Sequence, residues 1–326
     1  MLTATLAIIV GFIALVWSAD RFVGGAASIA ENMGMPPIII GLTVVSIGTS
    51  APEAIVSISA ALANETALAV GNALGSNLAN VGLVLGVTVL VVPLIVLRTV
   101  ILRELPILLA CTACGGVFLY DSYLSRLDGV IFLTALVVIM WVLVRSKSHD
   151  SHAEKEAGVE QLPHMPKKKA WLNFTFGLLA LIASAKLLVW GATGIATSLG
   201  VSTLVIGLTV VAVGTSLPEL AATVASALKG HADIAVGNII GSNLFNLLGV
   251  MALAALINPS PLPPEVFSRD YLAMAGITLI LASGLYFSWY SNRGEGDECI
   301  HQIGRPAGVL FLALYGMYYY WLFATT

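Results

Sequence analysis

Apolar runs of about 20 residues recur along almost the whole chain, and they constrain its fold more than any other feature. A helix of that length crosses a hydrocarbon core of about 30 Å, where backbone groups find no water. The composition agrees, because 58% of the 326 residues are hydrophobic and only 10% are charged. We predict an all-α polytopic membrane protein with ten transmembrane helices. They span roughly residues 3–19, 36–62, 67–93, 104–120, 127–144, 170–190, 201–228, 233–257, 271–290 and 304–323.

The basic residues favour one orientation of these ten spans. With both termini outside the cytoplasm, most Lys and Arg residues fall on the cytoplasmic side, as the positive-inside rule requires. Only Arg126 and Arg269 fall outside, while Lys186 lies near the outer end of its span, where it can reach the interface. The net charge is −3 and the basic residues are scattered except for 167–169. We therefore expect the lipid bilayer as partner, with no nucleic acid and no obligate protein partner.

A polar segment, residues 145–169, divides the chain almost in half. It carries many charged residues and two prolines, a composition typical of a solvated linker, and the orientation above makes it cytoplasmic. We interpret His149 and His152 as parts of this tether rather than as metal ligands. The predicted units are residues 1–144 before the linker and 170–326 after it.

The two halves contain a sequence repeat. Residues 41–86 align without a gap on residues 207–252, at a constant offset of 166, and 22 of the 46 positions are identical. The matches include many polar residues, which low-complexity hydrophobicity does not produce. Because each half has five spans, an odd number, the second half enters the membrane from the opposite side. The sequence therefore predicts two inverted five-helix repeats, a pattern of secondary transporters whose site lies near the bilayer midplane.

Each repeat places a glutamate near the middle of its second span, Glu53 in the first and Glu219 in the second. A charge at that depth costs about 3 kcal/mol on insertion scales, so each carboxylate should face protein or a water-filled cavity. Around the glutamates, polar side chains recur every fourth residue, which places them on one helix face. The stripes are Thr49, Glu53 and Ser57; Asn72, Ser76 and Asn80; Thr215, Glu219 and Thr223; and Asn238, Ser242 and Asn246.

Pro52 and Pro218 interrupt the two helices that carry the glutamates. Since proline has no N–H to donate, we expect nearby carbonyls, such as those of Ser46 and Ala212, to be free to face an ion. Hard cations such as Ca²⁺ and Na⁺ bind carboxylate, carbonyl, hydroxyl and amide oxygens. Two glutamates also balance the charge of one divalent ion. The sequence therefore predicts a cation site shared by the two repeats.

Two further patterns have a simpler interpretation. The GxxxG sequences that begin at Gly71 and Gly237 are typical of close helix packing. Cys111 and Cys114 form a CxxC pattern, but they lie among small residues of an apolar helix, which favours packing over redox chemistry. We assign no ligand to either pattern.

These motifs resemble the calcium/cation antiporter superfamily, whose two alpha repeats have the form GTSxPE followed by GNxxGSNxxN. Here they are GTSAPE with GNALGSNLAN, and GTSLPE with GNIIGSNLFN. The likeness is closest to the bacterial inner-membrane sodium/calcium exchanger branch and extends over essentially the whole chain. It implies exchange of Ca²⁺ for Na⁺ by alternating access, without a cofactor. The energetics of Ca²⁺ extrusion favour more than two Na⁺ per Ca²⁺, which makes the predicted exchange electrogenic. It also implies that the first and sixth spans slide across the other eight.

The resemblance implies individual ligands as well. It makes Glu53 and Glu219 the central ligands and adds hydroxyl side chains around them. Asn80 and Asn246 occupy the last motif position, where some relatives carry an Asp at one of the two places. The hydroxyl residues that complete the implied Na⁺ and Ca²⁺ sites are Thr49, Ser50, Ser76, Thr215, Ser216 and Ser242.

Three other functions stay open at this stage. A proton/calcium antiporter could use the same two glutamates to release protons, although the surrounding hydroxyls favour Na⁺ because a proton needs no coordination shell. A membrane enzyme with two carboxylates needs acids in opposed roles, whereas these lie in matched surroundings and no GxGD sequence is present. A passive channel would carry uncoupled currents.

Overall fold

The computed structural model describes residues 1–147, 165–200, 210–291 and 301–325, and within these ranges the chain is mostly helical. We number the helices in chain order, counting continuous α and π turns as one helix. They are α1 (Leu2–Met33), α2 (Pro37–Thr49), α3 (Ala51–Leu62), α4 (Thr66–Val91), α5 (Val100–Leu119), α6 (Arg126–Lys147), α7 (Lys167–Ser198), α8 (Ala212–Thr215), α9 (Leu217–Leu228), α10 (Ala232–Ile257), α11 (Val266–Tyr290) and α12 (Arg305–Thr325).

The predicted polytopic helical fold is confirmed. Eight of the described helices are long and apolar enough to cross a membrane, and they coincide with eight predicted spans. Helices α2 and α3 together cover a ninth, with a bend of 45° between them. The predicted span 201–228 begins outside the described residues, so the count of ten stays a prediction. Most of the predicted linker, including His149 and His152, also lies outside the described residues.

Helices α1 and α7, each the first of its half, pack against each other in opposite directions. Asn32, near the end of α1, donates to the carbonyl of Met165, just before α7, at 2.8 Å. Ser198, at the end of α7, lies 2.8 Å from the sulfur of Met1. Equivalent helices that run antiparallel are what inverted repeats require.

Helix α1 is longer than the predicted span 3–19, which ended where Asp20 and Arg21 interrupt the apolar run. The helix continues to residue 33 because both charges find partners. Asp20 pairs with Lys229 at 2.8 Å, and the Arg21 guanidinium lies over the ring of Trp17, 5.3 Å from its centre.

Two short antiparallel ribbons join the connections between helices, a feature that the all-α prediction missed. The strands are β1 (Leu94–Val96), β2 (Tyr123–Leu124), β3 (Ser260–Pro261) and β4 (His301–Ile303). Strand β1 pairs with β4, and β2 pairs with β3. Since β3 begins 166 residues after β1, the repeat relates the two ribbons, and each joins the first half of the chain to the second.

Helices α4 and α10, which carry the two GNxxGSNxxN motifs, form the centre of the molecule. Within their apolar windows 72% and 83% of the residues are buried, against at most 44% in the other spanning helices. These two helices therefore lie inside the bundle, where a polar site is shielded from lipid.

Candidate cation-binding site

The helix that carries the first glutamate breaks at Ser50, between α2 and α3. Ser50 leaves the helical conformation, with φ −83° and ψ 5°, and its repeat equivalent Ser216 does the same, with φ −85° and ψ 2°. Pro52 and Pro218 follow two residues later and have no N–H for the turn before the break. The predicted interruption of both helices is therefore confirmed.

The carbonyls expected to be freed by the prolines have hydrogen-bond donors. The Ser46 carbonyl accepts the N–H of Ser50 at 3.0 Å and the hydroxyl of Thr49 at 3.3 Å, so the prediction that Pro52 frees it is wrong. The physical reason is the spacing, since an α-helical N–H at position 52 would bond to residue 48. The Ala212 carbonyl accepts the Thr215 hydroxyl at 3.0 Å. A carbonyl oxygen has two lone pairs, so the Ala212 carbonyl can still accept a further partner, whereas both lone pairs of the Ser46 carbonyl are engaged.

The two glutamates are buried, each with 1% of its surface exposed. Glu219 accepts the hydroxyl of Ser50 through Oε1 at 3.0 Å. Both oxygens of Glu53 and Oε2 of Glu219 have no hydrogen-bond partner among the described residues. Burying a carboxylate oxygen without a donor or a cation is costly, and three such oxygens therefore mark a place for a positive charge.

A buried acid elsewhere in the bundle provides a contrast. Asp270, at 9% exposure, lies 2.7 Å from the Arg269 guanidinium and accepts the Tyr318 hydroxyl at 3.0 Å. This acid has its counter-charge within the protein, as buried acids normally do. Glu53, although more deeply buried, has no hydrogen-bond donor among the residues that the structure describes.

The four polar stripes of the sequence meet at the break. Thr49 of the first repeat donates to Oδ1 of Asn238 at 3.2 Å, and Asn238 donates to Thr223 at 2.9 Å. In the first repeat, Asn72 donates to Ser57 at 2.9 Å and to the Glu53 carbonyl at 3.1 Å. The stripes thus form one polar layer that crosses between the repeats.

Most of the remaining predicted ligands are buried as well, whereas Thr215 and Ala212 are half-buried. The exposed fraction is 6% for Ser76 and at most 2% for Ser216, Ser242, Asn80 and Asn246. The hydroxyls of Ser216 and Ser242 and both polar atoms of Asn246 have no partner within the described ranges. Unpaired oxygens of this kind are the ligands that Na⁺ and Ca²⁺ take in proteins.

Helices α10 and α2 pack closely against each other at glycines on both helices. A Cβ on Gly237 would lie 2.6 Å from the Ile38 carbonyl oxygen, and a Cβ on Gly41 would lie 2.6 Å from that of Ile234. The interpretation of this GxxxG pattern as a packing device is therefore confirmed. The contact holds α2, and with it Thr49, against the central helix. For the first pattern that interpretation stays a prediction, because a Cβ on Gly71 or Gly75 would meet no described heavy atom within 4 Å.

Sequence reasoning did not assign a role to Asn77 or Asn243, which the structure places between the repeats. Asn77 donates to the Asn243 carbonyl at 3.0 Å, and Asn80 donates to Asn243 Oδ1 at 3.0 Å. The available signal was their identity in the two motifs, at positions 166 residues apart.

The site has the donor set of a hard-cation site. It combines two carboxylates with hydroxyl, amide and carbonyl oxygens, and no group of three or more His, Cys, Asp or Glu occurs in the described part of the chain. Inverted repeats that meet at such a site, with broken helices beside it, define the class of secondary transporters.

Comparison with known proteins identifies the family. The chain belongs to the sodium/calcium exchanger protein family, whose model matches residues 3–145 and 169–324. The resemblance inferred from the motifs is thereby confirmed.

Relatives and solved structures match over nearly the full length. The chain is 43% identical to the antiporter candidate CaxA of Alkalimonas amylolytica, over 100% of both chains. It is 41% identical to the inner membrane protein YrbG of Escherichia coli K12, over 99% of this chain and 96% of that one. It also resembles a structure of the sodium-calcium exchanger NCX_Mj soaked with Na⁺ and Ca²⁺, with a TM-score of 0.80, 29% identity and 96% of each chain covered.

Proposed function

We propose that this protein exchanges Ca²⁺ for Na⁺ across a membrane by alternating access. The observation that supports this most is the set of three buried carboxylate oxygens of Glu53 and Glu219 that have no donor among the described residues. A site that must release its cation cannot contain a permanent counter-charge. The names of CaxA, an antiporter candidate, and of NCX_Mj, a sodium-calcium exchanger, support the same class of transport.

The proposed ligands come equally from the two repeats. Glu53 and Glu219 bind Ca²⁺ through their carboxylates, and Na⁺ replaces it with the help of neutral oxygens. The same carboxylates cannot hold a full set of Na⁺ and Ca²⁺ together, and this competition makes exchange obligatory. The neutral side-chain ligands are Thr49, Ser50, Ser76, Asn80, Thr215, Ser216, Ser242 and Asn246, and the Ala212 carbonyl adds one backbone oxygen.

We propose the orientation given by the positive-inside rule. Both termini then lie outside, and the linker 145–169 lies in the cytoplasm between the repeat units 1–144 and 170–326. The name of YrbG, an inner membrane protein, supports placement in the bacterial inner membrane.

We propose that more than two Na⁺ exchange for one Ca²⁺. Such a ratio moves net charge, and each charge that crosses 100 mV contributes about 2.3 kcal/mol to Ca²⁺ extrusion. The buried hydroxyls favour Na⁺ over a proton as the coupling ion, because protonation of a carboxylate requires no surrounding oxygens.

A transport assay tests the coupling ion. Proteoliposomes loaded with Na⁺ are diluted into Na⁺-free buffer that contains radiolabelled Ca²⁺, and a parallel arm replaces the Na⁺ gradient by a pH gradient. We expect uptake that requires internal Na⁺ and does not respond to the pH gradient. Uptake driven by the pH gradient alone would instead identify a proton/calcium antiporter, and equal Ca²⁺ flux without either gradient would identify a channel.

A further inference from the structure

Four buried asparagines lie where the two repeats meet between α4 and α10. They form two equivalent pairs, each at the offset of 166 residues. Asn77 corresponds to Asn243, and Asn80 corresponds to Asn246. None of the four is more than 2% exposed.

The two pairs are hydrogen-bonded unequally. Asn80 donates through Nδ2 to the side-chain oxygen of Asn243 at 3.0 Å. Asn77 donates to the backbone carbonyl of Asn243, also at 3.0 Å. In contrast, both polar atoms of Asn246 and the side-chain oxygen of Asn77 lack a partner among the described residues. The structure therefore fixes the amide of Asn80 and leaves its repeat equivalent unfixed.

We propose that Asn243 is a positioning residue that orients the Asn80 carboxamide so that its oxygen faces the cation. An amide group has an oxygen on one edge and an NH₂ on the other, and an NH₂ directed at a cation would repel it. Because the nitrogen of Asn80 is engaged by Asn243, the oxygen remains for the ion. The inference rests on the proposed function, since it concerns the same site.

Second-layer groups that orient a ligand contribute strongly to ion affinity. Loss of such a partner typically weakens metal binding by about 10-fold to 100-fold. A purely structural role for Asn243 would instead affect the amount of folded protein and would act independently of Asn80. The two roles are therefore separable by measuring whether substitutions at these positions act together.

The side chain of Asn243 can be substituted without removing the other hydrogen bond between the repeats. The bond from Asn77 goes to the backbone carbonyl of residue 243, which any substitution there retains. Replacing the side chain therefore removes the acceptor of Asn80 and keeps the other contact between the repeats. Asn77→Ala is the matched control, because Asn77 lies in the same cluster but donates to the backbone of Asn243 and not to Asn80.

The experiment measures the Ca²⁺ dissociation constant of the purified full chain by isothermal titration in Na⁺-free buffer. We expect Asn243→Ala to weaken binding about tenfold. We also expect it to cause no further loss in a protein that already carries Asn80→Ala. The control Asn77→Ala should act independently, so that its effect multiplies with that of Asn80→Ala.

A second variant covers the case in which Asn243→Ala does not fold. Asn243→Thr keeps a hydroxyl acceptor, and we expect its Ca²⁺ affinity to stay close to that of the unsubstituted protein. Independent effects of Asn243→Ala and Asn80→Ala, or a loss with Asn243→Thr as large as with Asn243→Ala, would overturn the positioning role and leave the proposed function intact. Absence of Ca²⁺ binding by the unsubstituted protein would overturn the proposed function, and the positioning role with it.

Discussion

Replacement of Glu53 by Gln is expected to lower Na⁺-driven Ca²⁺ uptake by at least about a hundredfold. Removing one member of a buried charge pair typically costs about 3–5 kcal/mol, and each 1.4 kcal/mol is a factor of ten in binding. Both Glu53 oxygens are buried without a donor among the described residues. In the proposed mechanism their partner is the transported cation, and the substitution removes the negative charge that binds it. Radiolabelled Ca²⁺ uptake into proteoliposomes measures the effect.

Two further variants make this result specific. Glu219→Gln should cause a loss of similar size, because the repeat places its carboxylate equivalently and with the same burial. Glu65→Gln, at an exposed position just before α4, should transport normally. Uptake by Glu53→Gln within threefold of the unsubstituted protein, roughly 0.7 kcal/mol, would exclude Glu53 as a central ligand.

Replacement of Gly237 by Ala is expected to destabilise the fold and to reduce transport. The added Cβ would lie 2.6 Å from the Ile38 carbonyl oxygen and 3.0 Å from the Leu42 nitrogen, both backbone atoms of α2. Since backbone in a packed helix cannot move aside like a flexible side chain, overpacking should destabilise the fold by about 1–3 kcal/mol. Displacement of α2 should also move Thr49 and reduce transport. The midpoint of thermal unfolding in detergent measures the first effect.

The matched control for this substitution is Gly284→Ala in α11. Gly284 is exposed, and a Cβ there would meet no described heavy atom within 4 Å. Its replacement should keep or slightly raise the unfolding midpoint, because Ala favours helix over Gly. An unchanged midpoint in Gly237→Ala would mean that α2 and α10 are not held in close contact.

The repeat made much of the fold and site predictable. The constant offset of 166 residues gave Glu53 and Glu219 equivalent places, and the odd number of spans in each half gave the inversion. Antiparallel packing of α1 on α7 agrees with that inversion. The breaks at Ser50 and Ser216 followed from the prolines beyond them.

Features that depend on partners distant in sequence were not predictable. The extension of α1 past Asp20 requires Lys229, and the ribbon β1–β4 joins residues from opposite halves of the chain. The Ser46 carbonyl was wrongly expected to be free for another reason: the missing N–H of Pro52 would have bonded to residue 48, and the Ser46 carbonyl keeps the N–H of Ser50 as its donor.

The sequence also did not predict that equivalent residues of the two repeats would have unequal hydrogen bonds. The Ser50 hydroxyl donates to Glu219, whereas the hydroxyl of its equivalent, Ser216, has no partner among the described residues. Two similar motifs predict equal surroundings. The proposed alternating access accounts for the difference, because a transporter held in one conformation opens its two inverted halves to different degrees. The hydrogen bonds of Asn80 and Asn246 differ in the same way, since Asn80 donates to Asn243 and the polar side-chain atoms of Asn246 have no partner among the described residues.

Simultaneous measurement of both ion fluxes tests the central claim most directly. Proteoliposomes loaded with ²²Na⁺ are diluted into ⁴⁵Ca²⁺ at a clamped membrane potential, and Na⁺ efflux and Ca²⁺ uptake are followed in the same vesicles. We predict a fixed flux ratio above two Na⁺ per Ca²⁺, with both fluxes lost together in Glu53→Gln. Ca²⁺ uptake without Na⁺ efflux, or Na⁺ efflux that persists in that variant, would contradict coupled exchange at this site.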